Sequence, residues 1–238
     1  GDLFGNSPSQ SKNFGFTYEL NTNFVFRRGT GQVFTFTGDD DVFVFINGKL
    51  VIDIGGGTSE SAILSLGGVV ALQAVRVGSF DIDAAITQYI RREYGIAIGE
   101  QTAEKIKITM GSAYPTADEF KAEVRGRELM SGLPKTVILS PEEVRAAIEE
   151  PVSAIIDSVV ACLGNAPPEL AQDLIVQGIH LVGGGGMLRG LAQRLTDETD
   201  VQVRLVDLPL ECVALGAGRC IESYEALKVM FMEDNSRR

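Results

Sequence analysis

The sequence predicts an α/β fold carrying a small inserted α+β subdomain, with a short all-β segment ahead of it. Three observations lead there. Nine of the twelve phenylalanines lie before residue 46 and alternate with Thr, Val and similar residues, which is strand periodicity. From about Val51 the texture changes to Ala, Ile, Val, Leu, Glu and Arg, with helical spacing between short aliphatic strands. The repeated strand-loop-helix order then implies parallel pairing with helices packed on the sheet. Residues 1–50 therefore read as a Phe-rich β segment and 51–238 as the α/β body, with an inserted subdomain over about 97–139.

Taken in order, the first segment offers strands near Phe24–Arg27, Gln32–Thr37 and Val42–Ile46. Asn47-Gly48 is a strong hairpin signal because both residues tolerate positive φ, and it pairs Phe43–Ile46 with Leu50–Asp53. Leu50–Ile54, Ser61–Leu66 and Val69–Val77 read as a strand meander joined by glycine-rich turns. Ile82, Ile86, Tyr89 and Ile90 fall at helical spacing within Asp81–Tyr94, and Gly95 follows as a C-cap. A helix over Thr102–Met110 comes next, then short strands at Glu123–Arg127 and Thr136–Leu139. Ser140-Pro141-Glu142-Glu143 supplies an N-cap, a proline at the first helical position and a capping-box glutamate for a helix running to about Leu163. The remainder reads as strand Ile179–Val182, helix Met187–Thr196, strand Val203–Val206 and helix Glu211–Glu222.

Composition excludes several function classes. With 21 basic and 32 acidic residues the net charge is −11, the wrong sign for neutralising phosphate backbones, so a nucleic-acid partner is disfavoured. The acidity is concentrated in the α/β body, since residues up to Lys49 include four basic and five acidic side chains. No apolar run reaches the ~18–20 residues of a membrane span. Cys162, Cys212 and Cys220 are an odd, unclustered set, which argues against a disulfide framework or zinc site and for reduced cytosolic thiols packed as small hydrophobes. No signal peptide and no initiator Met are present, so a fragment is expected.

Two glycine loops carry the chemistry. Asp53-Ile54-Gly55-Gly56-Gly57-Thr58 ends an aliphatic strand and turns into another; successive N–H groups there can form a nest for anionic oxygens. Asp53 can hold Mg²⁺ through water and the Thr58 hydroxyl can bond phosphate. On the glycines alone, a tight hairpin turn explains the loop equally well. The second loop, Gly183-Gly184-Gly185-Gly186, lies at a strand end and opens a helix in this reading, which lets a flat ring or phosphate approach the backbone. Gly183 and Gly185 are followed by Leu188 rather than glycine, and Gly48-Lys49 by Leu50, so neither the dinucleotide fingerprint nor the P-loop is present.

These loops belong to an ordered set that resembles the second lobe of the MreB family of bacterial actins, from about Val51 to the C-terminus. The set comprises Asp53 to Thr58, Gly99-Glu100-Gln101-Thr102-Ala103-Glu104-Lys105-Ile106-Lys107, Met130-Ser131-Gly132-Leu133-Pro134, Leu181 to Leu191 and Leu215-Gly216-Ala217-Gly218. The resemblance implies an actin-like (ribonuclease H-like) lobe and an ATP site. In it Gly55, Gly56, Gly57 and Thr58 hold the β- and γ-phosphates, Glu104 and Lys107 the ribose and base edges, Gly183 to Gly186 the adenosine, and Asp53 sits near Mg²⁺. It also implies a cytoplasmic, membrane-associated, rod shape-determining cytoskeletal protein that self-associates into filaments and meets cell-shape proteins at the inner membrane face. The family's first lobe, with the other phosphate loop, the catalytic glutamate and the membrane-touching loop, has no counterpart in this sequence. No catalytic residue is assigned, and impaired hydrolysis is expected. In the intact family the segment containing Leu227, Val229, Met230, Phe231 and Met232 packs on that lobe, so exposed apolar surface is expected here.

Residues 13–54 resemble something different, a fibro-slime (protective-antigen-like) β-sandwich domain, through Thr37-Gly38-Asp39-Asp40-Asp41-Val42-Phe43-Val44-Phe45-Ile46-Asn47-Gly48-Lys49-Leu50. That resemblance implies an extracellular Ca²⁺- or glycan-binding module using Asp39-Asp40, although a Ca²⁺ site needs ~6–8 oxygens and an exposed acidic turn explains the pair more simply. Both families share a strand ending Asp-(Ile/Leu)-Gly-Gly, which implies a chimera joined at about Val51 to Gly56. The central strand then has two competing partners, and the actin-like pairing is expected to win because it buries more apolar surface. His180, the single histidine, has no acidic partner in sequence reach and reads as a packed strand residue.

Overall fold

A computed structural model describes residues 50–65, 68–117 and 120–222. Along the chain run β1 (Leu50–Ile54), β2 (Ser59–Ser65), β3 (Gly68–Val75), α1 (Ser79–Tyr94), β4 (Ile96–Ala97) and α2 (Glu100–Met110). They are followed by β5 (Ala122–Glu128), β6 (Pro134–Leu139), α3 (Pro141–Gly164), α4 (Ala171–Gln177), β7 (Ile179–Val182), α5 (Leu191–Thr199), β8 (Val203–Leu205) and α6 (Cys212–Glu222). The main sheet has the order β3-β2-β1-β7-β8, and a second sheet has the order β4-β5-β6.

β1 is the pivot of the main sheet. It pairs antiparallel with β2 (Ile52 opposite Ser61) and parallel with β7 (Ile52 opposite Leu181). Both of its edges are taken, which is the pairing expected of an actin-like lobe. Phe43–Ile46, the hairpin partner proposed through Asn47-Gly48, lies outside the described residues.

The core forms where helices cover one face of this sheet. Ile52 and Ile54 have no exposed surface, and with Ile63 they join Ile82, Ile86 and Ile90 of α1 and Val152, Ile155 and Val159 of α3 in one apolar cluster. Each such side chain contributes ~1.5–3 kcal/mol when fully buried. The i, i+4 spacing of the three isoleucines puts them on the inward face of α1, and Gly95 closes that helix at φ 65°. Cys162 is fully buried in the same cluster, as a small core hydrophobe should be.

Two elements depart from the sequence reading. The helix expected over Met187–Thr196 is instead a 3₁₀ turn, Gly185–Met187, followed by α5 from Leu191. Leu188 is extended and Gly190 sits at φ 73°, so the chain leaves the helical path before re-entering it. The short α4 was not expected; its Ile175 and Val176 point outward, which erases the apolar stripe that marks a surface helix.

The second sheet is tied to the body at the junction of α1, β6 and α3. The Tyr94 hydroxyl donates to Glu143 Oε1 at 2.5 Å and lies 3.0 Å from the Ile138 carbonyl. Glu143 Oε2 accepts from the Ser140 amide at 2.8 Å, closing the predicted capping box. Burial pushes the Tyr94 hydroxyl up to about 12, helped by the Glu143 carboxylate. For Glu143, burial raises the carboxyl, but the bonds from Tyr94 and Ser140 outweigh it and hold it below its ordinary value of 4.5. A depressed carboxyl stabilises the fold above its unfolded pKa, and that contribution disappears as pH falls through the folded value. Glu143→Gln is therefore expected to lower the melting temperature at pH 7, by roughly 1 kcal/mol of capping and hydrogen bonding. The same change narrows the difference between melts at pH 7 and pH 3.5; an unchanged difference counts against this role for Glu143.

Candidate functional site

Parallel pairing of β1 with β7 brings the ends of both strands, and the two glycine loops that follow them, to one end of the main sheet. Their backbones touch closely. Gly183 sits at φ 80°, and a Cβ there would collide with the Asp53 carboxylate and the Ile54 carbonyl; a Cβ on Gly185 would collide with the Ile54 side chain. At Gly183 and Gly185 side chains are excluded by the end of β1.

The first loop is clamped from both directions. The Gly55 amide donates to the Thr58 carbonyl at 2.9 Å, closing the turn. The Ser79 and Phe80 amides, at the start of α1, donate to the Gly55 and Gly56 carbonyls at 3.0 and 2.8 Å. Among the described residues no backbone carbonyl takes the Gly56 or Gly57 amide. The positive end of α1 lies beside this loop. The Phe80 ring, 62% exposed, lies over Gly56 so closely that a Cβ there would stand 2.6 Å from it.

A cavity of about 430 Å³ opens beside the second loop, lined by Ser79, Glu104, Lys107, Arg189, Gly184 and Gly185 among others. Ile82, Ile108, Met187, Leu188 and Leu210 give it an apolar wall. The volume falls within the ~300–1,000 Å³ of small-molecule sites. Glu104 and Lys107 thus share one cavity with Gly184 and Gly185. The Lys107 ammonium is turned toward α1: it donates to Ser79 Oγ at 2.6 Å, Ser79 O at 3.2 Å and Asp83 Oδ2 at 2.8 Å.

Asp53 is half-buried at the end of β1, opposite Glu60 on β2 and beside Val182 on β7. Burial, and then the Asp53 and Glu211 carboxylates, push the Cys212 thiol up at the start of α6. Among the described residues no cluster of three or more His, Cys, Asp or Glu side chains forms a metal site. His180 is half-buried on β7.

Sequence reasoning missed Ser79, Asp83 and Arg189. Ser79 and Asp83 matter through a contact with Lys107 more than twenty residues away, for which no local pattern exists. Arg189 fixes the end of α2: its Nε donates to Gly111 O at 3.4 Å and its Nη2 to Thr109 O at 3.3 Å, while its carbonyl accepts from the Ala113 amide at 2.8 Å.

The sheet order, the two loops and the cavity between α2 and the second loop define one lobe of an actin-like protein. The family model for MreB/Mbl protein matches residues 41–229, and the chain belongs to that family. It is 46% identical to the cell shape-determining protein MreB of Escherichia coli over 175 residues, covering 74% of this chain and 50% of that protein. Against the cell shape-determining protein Mbl of Bacillus subtilis the identity is 39% over 181 residues, 76% of this chain and 54% of that one. The crystal structure of MreB5 of Spiroplasma citri bound to AMPPNP matches with a TM-score of 0.72 at 37% identity, over 75% of this chain and 54% of the other. The chain therefore spans about half the length of the curated relatives it matches. The family match begins at Asp41, upstream of the Val51 boundary, and these comparisons lend no support to a fibro-slime origin of residues 13–54 or to a chimera. Asp39 and Asp40 lie outside the described residues.

The contact between the loops yields a direct expectation. Gly183→Ala strains a positive φ and drives a methyl into Asp53 and Ile54, so a loss of ~1–3 kcal/mol is expected, read as a fall of several degrees in melting temperature. Gly57→Ala, whose Cβ meets nothing within 4 Å, is the control and is expected to stay within ~0.5 kcal/mol of the parent.

Proposed function

We propose that this chain is an ATP-binding, actin-like cytoskeletal protein acting in the maintenance of cell shape, and that it supplies one wall of the nucleotide cleft. The observation that carries the reading is the convergence of two glycine loops, from adjacent parallel strands, beside a cavity of about 430 Å³ lined by Glu104 and Lys107. Gly55, Gly56, Gly57 and Thr58 take the β- and γ-phosphates, with the Gly56 and Gly57 amides claimed by no backbone carbonyl among the described residues and the positive end of α1 close by. Gly183 to Gly186 give the adenosine a flat backbone bed, and the exclusion of side chains from Gly183 and Gly185 keeps that bed open. Glu104 faces the ribose and base edges. Mg²⁺ characteristically keeps several waters and uses one or two carboxylates plus substrate phosphates, so Asp53 at the head of the phosphate loop suits it.

Kinship with the cell shape-determining proteins MreB and Mbl supports the cellular reading, and the solved AMPPNP complex of Spiroplasma citri MreB5 supports the ligand. Filament self-association, cytoplasmic placement against the inner membrane face, and contact with cell-shape proteins there belong to the same proposal. No helix among the described residues is long and apolar enough to cross a membrane. Activation of the attacking water, and with it hydrolysis, is assigned to none of the described residues.

The test is a thermal melt with and without millimolar Mg-ATP. A ligand at ~100 times its dissociation constant adds ~2.7 kcal/mol to a protein that it binds only when folded. A rise of several degrees that is absent in Gly56→Val and Gly184→Val is expected. A melt indifferent to ATP, or one equally raised in both variants, contradicts the assignment.

A further inference from the structure

The Lys107 ammonium has three donors and all three have acceptors on α1: Ser79 Oγ, Ser79 O and Asp83 Oδ2. Lys107 and Asp83 are only 12% and 16% exposed, so their attraction is little screened by water. Asp83 Oδ1 is buried with no hydrogen-bond partner among the described residues, so the bond from Lys107 to Oδ2 is the contact that offsets the burial of this carboxylate. Burial raises the Asp83 carboxyl, the bond to Lys107 opposes that rise, and Glu104 on the cavity wall adds to it.

The same serine continues toward the first loop. Its amide donates to the Gly55 carbonyl at 3.0 Å, and Gly55 in turn donates to Thr58. A continuous chain of hydrogen bonds therefore runs from α2, which lines the cavity, through Lys107 and Ser79 to the glycine loop at the end of β1.

We propose that Asp83 and Ser79 are positioning residues that lock the Lys107 ammonium onto α1, and that this lock couples the nucleoside cavity to the phosphate loop. Asp83 touches no nucleotide in this scheme; it acts through Lys107. The lock keeps the start of α1 seated against Gly55 and Gly56, so the loop is already shaped for phosphate when the nucleoside enters. The energetic signature is specific: the advantage of ATP over adenosine depends on the lock, whereas the affinity for adenosine depends on it much less. The inference rests on the nucleotide-binding reading and adds the regulation of that site.

The experiment titrates the full chain with ATP and, separately, with adenosine, for the parent, Asp83→Asn, Asp83→Glu, Ser79→Ala, Lys107→Met and the double variant Asp83→Asn/Lys107→Met, with a melt of each unliganded protein. The ratio of adenosine to ATP dissociation constants is expected to shrink ~10-fold in Asp83→Asn and ~5-fold in Ser79→Ala, within the usual range of coupling between sites. Asp83→Glu, which keeps the charge, is expected to recover most of the ratio. The double variant is expected to match Lys107→Met alone, because a residue acting through another adds nothing once that other is gone. Ser79→Ala removes one hydroxyl only, and it decides the matter if the buried-charge variants fail to fold. An unchanged ratio in Ser79→Ala, or additive losses in the double variant, overturns the coupling while leaving nucleotide binding intact. Failure of the parent to bind either ligand overturns the nucleotide reading and this inference with it.

Discussion

The parallel ladder between β1 and β7 is the constraint on which the remaining architecture depends. Ile52 opposite Leu181 and Asp53 opposite Val182 fix the register, and the register decides that both glycine loops leave the sheet at the same end. A shift of one residue turns Ile52 and Ile54 from the core face to the other face, so the buried isoleucines and the site geometry are specified together. The meander of β2 and β3 then has its other edge of β1 to fill, and α1 returns across the face that Ile52 and Ile54 present. Fold and cleft are consequences of one hydrogen-bonding pattern.

On that frame the second constraint is the absence of side chains where two backbones approach. Gly183 and Gly185 lie where β1 leaves no room for a Cβ, and the start of α1 is stitched to the carbonyls of Gly55 and Gly56. The loops are consequently shaped by the protein before any ligand is considered, which reduces the conformational entropy that binding must overcome. Lys107 extends this preorganisation sideways. It spends its charge on α1 within the protein, leaving Glu104 as the acidic side chain lining the cavity.

Much of this was legible in the residues because local physics wrote it there. Ser140, Pro141 and Glu143 announce the start of α3, and all three occupy their expected capping roles. Ile82, Ile86 and Ile90 mark the buried face of α1, and Gly95 marks its end. The glycine runs, three at Gly55 to Gly57 and four at Gly183 to Gly186, identify both loops, since such runs are costly inside a long helix or strand. What stayed hidden depends on contacts distant in sequence or on a single backbone angle. The turn at Gly190 delays α5, although the residues around it carry helical spacing. Nothing near Ser79 or Asp83 announces Lys107, and Arg189 has meaning only once the end of α2 lies beside it. The fibro-slime resemblance of residues 13–54 and the junction at Val51 to Gly56 find no support in the relatives, and the MreB/Mbl match begins at Asp41, ahead of that junction.

The central claim is that the two glycine loops form one ligand site because β1 and β7 hold them together. Amide hydrogen exchange with and without Mg-ATP tests it most directly. The account predicts that protection rises jointly at Gly55 to Thr58 and at Gly183 to Gly186, with the β4-β5-β6 sheet little changed. Protection gained at only one loop, or spread evenly over the chain, would contradict a shared site.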